Sequence, residues 1–140
     1  MKTTVVHCQR DDYDEYIGRP TLWGNPFVLG QDGTRKEVID KYRAYVLGEP
    51  FLLARLHRLK GKRLGCWCSP KLCHGHVLAE LADMPTGQAV WHAKDHDLPV
   101  NVTGIMGLGS DGKIYMKTDS GTGIPFDELK WPEAKEPGHE

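Results

Sequence analysis

Nothing in this chain of 140 residues resembles a membrane anchor: no apolar run approaches the length needed to cross a bilayer. It also lacks the apolar central stretch of a secretory signal, since MKTTVVHCQRDDYDEY offers only two consecutive valines before turning acidic. These absences predict no membrane association and a cytoplasmic location, in a bacterium or a phage-infected host cell. Cysteine is sparse, four in all, and too few and too clustered for the disulfide framework of a small secreted domain. No internal repeat is present, which excludes solenoids and propellers. Charge of either sign is not in excess, the formal net charge being −1. It is unevenly spread, however: residues 1–80 hold thirteen Lys/Arg against nine Asp/Glu, and residues 81–140 hold five against ten. Only the first part suits an anionic ligand.

The length fits a single ordinary domain, or a compact domain with an appendage. TTVVHC, residues 3–8, is short and β-branched and predicts a strand. The following stretch, to about Thr34, is rich in Gly, Pro, Asp and Asn and predicts a long loop, which Tyr13, Tyr16, Trp23 and Phe27 would order. Thr34-Arg35-Lys36-Glu37 fits a capping box, with Val38, Tyr42, Tyr45 and Val46 at helical spacing and Gly48 as the stop. Pro50 opens a second helix with Leu52, Leu53, Leu56 and Leu59 on one face, ended by Gly61. KRLGCW, residues 62–67, predicts a strand, and a third helix follows from about Cys73 to Asp83.

This order predicts an α/β fold, a small βααβα layer with parallel strands joined by a right-handed crossover. Residues 85–97 read as a polar linker. Residues 98–131 carry short alternating runs broken at Ser110-Asp111-Gly112 and Ser120-Gly121-Thr122-Gly123. They predict a C-terminal β meander or mini-barrel that either extends the first sheet or stands alone. The domain organisation is therefore 1–84, a linker 85–97, a β-rich appendage 98–131 that can serve a protein partner, and a disordered tail 132–140.

GCWCSPKLCHGH, residues 65–76, concentrates three of the cysteines. In a strand Cys66 and Cys68 face the same side, and a Ser-Pro turn then brings Cys73 to a helix start, with His76 one turn on and His74 adjacent. Three thiolates and one imidazole suit a tetrahedral structural zinc, although this spacing is not a common zinc-finger one. Read as chemistry instead, a thiol at a helix N-terminus is acidified, so Cys73 becomes a nucleophile with His74 as base. As plain packing, all of these are small buried residues.

The loop after the first strand lies where open α/β sheets bind ligands. Arg19 can hold a phosphate or carboxylate, Trp23 can stack on a base, Asn25 can orient a ligand, and Thr34 marks a helix N-terminus suited to an anion. The basic run from Arg55 to Arg63 fits a phosphate backbone or, more simply, a solvated helix face.

Taken together, YIGRPTLWGNPF, DGTRKEVIDKY and GKRLGCWCSPKLCHGHVLAEL resemble, in order and spacing, domain-of-unknown-function family 4326 of phages and bacteria, over residues 3–83. That family has no established reaction to carry over. The resemblance implies that Gly18, Arg19, Pro20, Trp23, Gly24, Asn25, Pro26, Phe27, Cys66, Cys68, Cys73 and His74 occupy motif positions, which favours His74 over His76 as a metal ligand. The expected function is a nucleotide- or nucleic-acid-related protein with zinc on Cys66, Cys68, Cys73 and His74 and a ligand-binding loop around Arg19, Trp23, Asn25 and Thr34. The alternatives are a non-enzymatic interaction module or an enzyme using Cys73 and His74.

Overall fold

The computed structural model describes residues 2–132, and the chain divides into two compact units, Met1–Met84 and Pro85–Glu140. In the first unit three strands, β1 (Thr4–His7), β2 (Glu15–Tyr16) and β3 (Arg63–Cys66), form a parallel sheet in the order β1-β3-β2. The central strand is the most buried, with Leu64, Gly65 and Cys66 all inaccessible, and its register pairs Val5 with Leu64 and Tyr16 with Gly65. The predicted βααβα order is present. The sheet's third member is the two-residue β2, which sits inside what reads in sequence as loop.

Helix α1 (Arg35–Leu47) begins as its capping box dictates: Glu37 N donates to Thr34 Oγ1 at 3.3 Å and Thr34 N donates to Glu37 Oε1 at 2.9 Å. Val38, Ile39, Tyr42, Val46 and Leu47 are its buried face. The predicted second helix is broken into α2 (Pro50–Leu53) and a 3-10 turn at Leu56–Arg58. Arg55 lies at the break. Its guanidinium stacks on the Phe51 ring at 3.6 Å and takes the Phe51 carbonyl, while its own N–H bonds to Leu52 O three residues back. Leu52, Leu56 and Leu59 are buried nonetheless, so the apolar spacing survives the break.

Helix α3 (His74–Ala82) starts one residue later than predicted, with Cys73 as its N-cap. Thr3 closes the unit by donating its N–H and hydroxyl to the two Asp83 carboxylate oxygens, at 2.9 and 2.6 Å, while its Oγ1 accepts from Gly61 N.

In the second unit, β4 (Gly87–His92), β5 (Asp97–Leu108), β6 (Ile114–Thr118), β7 (Gly123–Pro125) and β8 (Leu129–Lys130) make an antiparallel sheet in the order β7-β6-β5-β4-β8. Ala89, Val102, Met116, Ile124 and Leu129 are its buried apolar residues, with Thr118 buried beside them. The Asp111-Gly112 turn is as predicted, with Gly109 N bonded to Lys113 O and Gly112 at φ 82°. Among the described residues the sheet has two free ends, so of the two expected forms it is the meander and not the mini-barrel, and it is a sheet of its own rather than an extension of the first. Within the segment 85–97, expected to be a linker, Gly87–His92 form β4 and pair with β5, which itself begins at Asp97. The predicted disordered tail lies, from residue 133, outside the described residues.

Candidate ligand cavity and thiol pair

A cavity of about 410 Å³ opens beyond the carboxyl ends of the parallel strands, within the size range of small-ligand sites. Tyr16, Gly18, Arg19, Asn25 and Phe27 line it from the loop after β2, Arg35, Val38 and Ile39 from the first turns of α1, and Cys66, Trp67, Cys68, Cys73 and His74 from the β3–α3 connection. The two sequence motifs, loop and cysteine cluster, are thus walls of one site. Arg19 and Arg35 are its cations, and among the described residues no Asp or Glu lines it.

Each predicted ligand residue has a definite place. Arg19 faces the cavity and is solvent-exposed. Its backbone is held by Gly24: a Cβ at position 24 would come within 3.1 Å of both Arg19 N and Cα, so only glycine permits the approach. Asn25 lines the cavity but works as a strut. Its Nδ2 donates to Val38 O at 3.3 Å and its Oδ1 accepts Phe27 N–H at 2.9 Å, pinning the loop to α1. Trp23 is core rather than a stacking platform, 4% exposed, with its carbonyl accepting the Tyr42 hydroxyl at 2.6 Å. Thr34 is not in the lining; its hydroxyl is committed to the α1 cap.

The exposed aromatic face at the cavity is Trp67, 56% exposed. Its Nε1 donates to Tyr16 Oη at 2.9 Å, and the Tyr16 hydroxyl donates to Arg19 O at 3.4 Å. His7 meets the indole edge-on at 6.0 Å. Leu29 and Leu72, both exposed, add apolar surface at the opening. Arg35 Nη1 donates to Leu72 O at 3.2 Å, which draws its guanidinium over the cavity. Trp67 and Arg35 went unassigned in sequence. The signal for Trp67 was its place between Cys66 and Cys68, where strand alternation turns it out of the core.

Cys66 ends β3 and Cys73 caps α3, both essentially buried at 1% and 2% exposure, and their sulfurs lie 3.0 Å apart. Cys68 N–H donates to Cys66 Sγ at 3.2 Å, and Gly75 N–H donates to Cys73 Sγ at 3.3 Å. The hydrogen bond from Cys73 and backbone amides at Cys68 and Ser69 hold the Cys66 thiol well below the ordinary thiol range, against its burial. Cys73, facing that charge in a buried place, is pushed up and keeps the proton.

His74 makes its hydrogen bond to the loop backbone, not to either sulfur. Its ring is 9% exposed, packs edge-on against Tyr42 at 5.0 Å, and its Nε2 lies 2.8 Å from Ile17 O. A carbonyl only accepts, so Nε2 carries the hydrogen, and burial lowers the His74 pKa to keep the ring neutral. His76 Nδ1 accepts Cys73 N–H at 3.0 Å as part of the α3 cap. The structure therefore pairs Cys73 with Cys66 rather than with His74. Among the described residues, no three His, Cys, Asp or Glu side chains converge as a metal-holding group. Of the four expected zinc ligands, Cys66 and Cys73 meet through sulfur, Cys68 joins through its backbone, and His74 has one nitrogen committed to Ile17.

The family model for domain of unknown function 4326 matches residues 3–84, all but the first two residues of the unit that contains the cavity. The chain belongs to this family. Its similar relatives are viral. An uncharacterized 12.4 kDa protein encoded in the nrdA–td intergenic region of Enterobacteria phage T4 is 38% identical over 85 residues, covering 56% of this chain and 76% of the phage protein. An uncharacterized protein of Acanthamoeba polyphaga mimivirus is 34% identical over 86 residues, 49% of this chain and 65% of its own length. No solved structure matches the chain. The five-stranded unit lies outside the family match. No helix among the described residues is long and apolar enough to cross a membrane.

Proposed function

We propose that the family domain binds a small anionic ligand with a planar ring, of nucleotide type, in the cavity beyond β3. The observation that carries this reading is the lining itself: two arginines, Arg19 and Arg35, with no carboxylate among the lining residues, beside the exposed indole of Trp67. Guanidinium groups match phosphate geometry with parallel N–H donors, and base–aromatic stacking contributes on the order of 1–3 kcal/mol. The Tyr16 and Gly24 contacts hold these two elements in place before any ligand arrives, which reduces the ordering cost of binding.

The test is a thermal-shift panel of nucleoside mono-, di- and triphosphates against the full chain, followed by titration of any ligand that raises the melting temperature. A rise with at least one nucleotide, lost in Arg19→Gln and in Trp67→Ala, supports the assignment. No shift with any member of the panel contradicts it and leaves the domain as an interaction module.

A further inference from the structure

The cavity holds one feature that ligand binding does not use, the pair of sulfurs at its floor. Cys66 and Cys73 come from different elements, the last residue of the central strand and the N-cap of α3, yet their sulfurs sit 3.0 Å apart and both line the cavity. Backbone N–H groups of Cys68 and Gly75 point at the two sulfurs. Oriented amides of this kind, with a helix N-terminus behind one of them, stabilise negative charge on sulfur. No lining carboxylate opposes that charge, and Arg19 and Arg35 favour approach of an anionic partner. All four cysteines are free thiols, and Cys8 does not line the cavity.

We propose that Cys66 and Cys73 form a thiol–disulfide exchange site that a small anionic disulfide, of the oxidised glutathione class, reaches through the cavity. The Cys66 sulfur attacks one sulfur of the incoming disulfide, so that a mixed disulfide forms and the first small thiolate leaves. Cys73 gives up its proton to a departing thiolate, and its sulfur then attacks Cys66 Sγ. The Cys66–Cys73 bond forms, the mixed disulfide breaks, and the second small group departs as a thiolate that takes its proton from water. Two electrons pass from the cysteine pair to the small disulfide, which is reduced to its two thiols. The exchange shares the cavity with the nucleotide reading but requires no nucleotide, so either can fail without the other.

The experiment is incubation of the reduced full chain with oxidised glutathione, without nucleotide, followed by acid quench, alkylation and peptide mass mapping, with zinc content measured on the starting material. Cleavage after Lys71 separates the two cysteines, so a native link would join two peptides. The expected result is loss of two hydrogens from the chain, a Cys66–Cys73 link, alkylated Cys8 and Cys68, and a glutathione adduct on Cys66 that accumulates in Cys73→Ser. Should that variant not fold, the mapping of the native chain decides alone. Four unmodified thiols at glutathione disulfide concentrations that oxidise dithiothreitol, a link through Cys8 or Cys68, or stoichiometric zinc with unreactive thiols would each overturn the proposal.

Discussion

The indole N–H of Trp67 donates to the hydroxyl of Tyr16 at 2.9 Å, tying the residue after β3 to the end of β2. The same hydroxyl donates to the Arg19 carbonyl. A single phenol thus joins the aromatic face and the cationic loop of the cavity. Tyr16→Phe removes both contacts while keeping the ring. Because Trp67 is largely exposed, water can take over its N–H, and the stability loss should stay below about 1 kcal/mol. Ligand affinity should fall several-fold, since the indole is no longer held. Denaturant melts and calorimetric titration separate the two effects, and unchanged affinity would show that Tyr16 is not a positioning residue.

Gly24→Ala should act on Arg19 through backbone contact. Its added methyl meets Arg19 Cγ at 2.9 Å and the Arg19 N and Cα at 3.1 Å, so the loop must shift. Overpacking of this kind costs about 1–3 kcal/mol. Gly104→Ala, where nothing lies within 4 Å, is the control. Urea unfolding should rank Gly24→Ala clearly below Gly104→Ala, and ligand binding should be lost only in the former.

Thr34→Ala distinguishes a helix cap from an anion site. Loss of the Thr34 hydroxyl removes one half of the capping box and should destabilise the domain by about 1 kcal/mol. Ligand affinity, measured where the variant is fully folded, should be unchanged because Thr34 does not line the cavity. A parallel loss of affinity would return Thr34 to the binding site.

The buried neutral His74 predicts the direction of one pH effect. Its folded pKa is depressed, chiefly by burial, so between the folded and unfolded values the unfolded chain binds the extra proton. Stability is full above the unfolded value of about 6.5 and declines as pH falls below it. His74→Gln keeps a donor for Ile17 O without titrating. Its melting temperature should fall less steeply than the wild type's as pH drops through 6.5; equal slopes would mean that His74 does not titrate on unfolding.

How much of this was legible in sequence follows from how local each determinant is. The Thr34–Glu37 box, the Val38–Val46 spacing, the β-branched run of β1 and the Asp111-Gly112 turn are signals carried within a few residues, and each produced the predicted element. Strand β2 is two residues long and exists through its pairing with β3, a partner almost fifty positions away. Strand β4 carries Ala89, Val90 and Trp91 in succession between Gln88 and His92, which gives no alternation to read without β5 beside it. At the break after Leu53, Arg55 folds back over Phe51, a contact that no propensity records.

Site residues divide the same way. The loop and the cysteine cluster stood out by residue type, and both do line the cavity. Their roles did not follow from type. Trp23 and Trp67 are equally apolar, and only the fold buries one behind Tyr42 and leaves the other facing solvent. Cys73 and His74 are neighbours in sequence, yet the turn of α3 sends His74 to Ile17 and Cys73 to Cys66.

Isothermal titration of nucleoside 5′-monophosphates into the wild-type chain and Arg19→Gln, at low and moderate salt, tests the central claim. One-site binding that weakens with salt, and by tenfold or more in Arg19→Gln, equivalent to about 1.4 kcal/mol, is the predicted result. Absence of binding, or binding indifferent to Arg19, would contradict it.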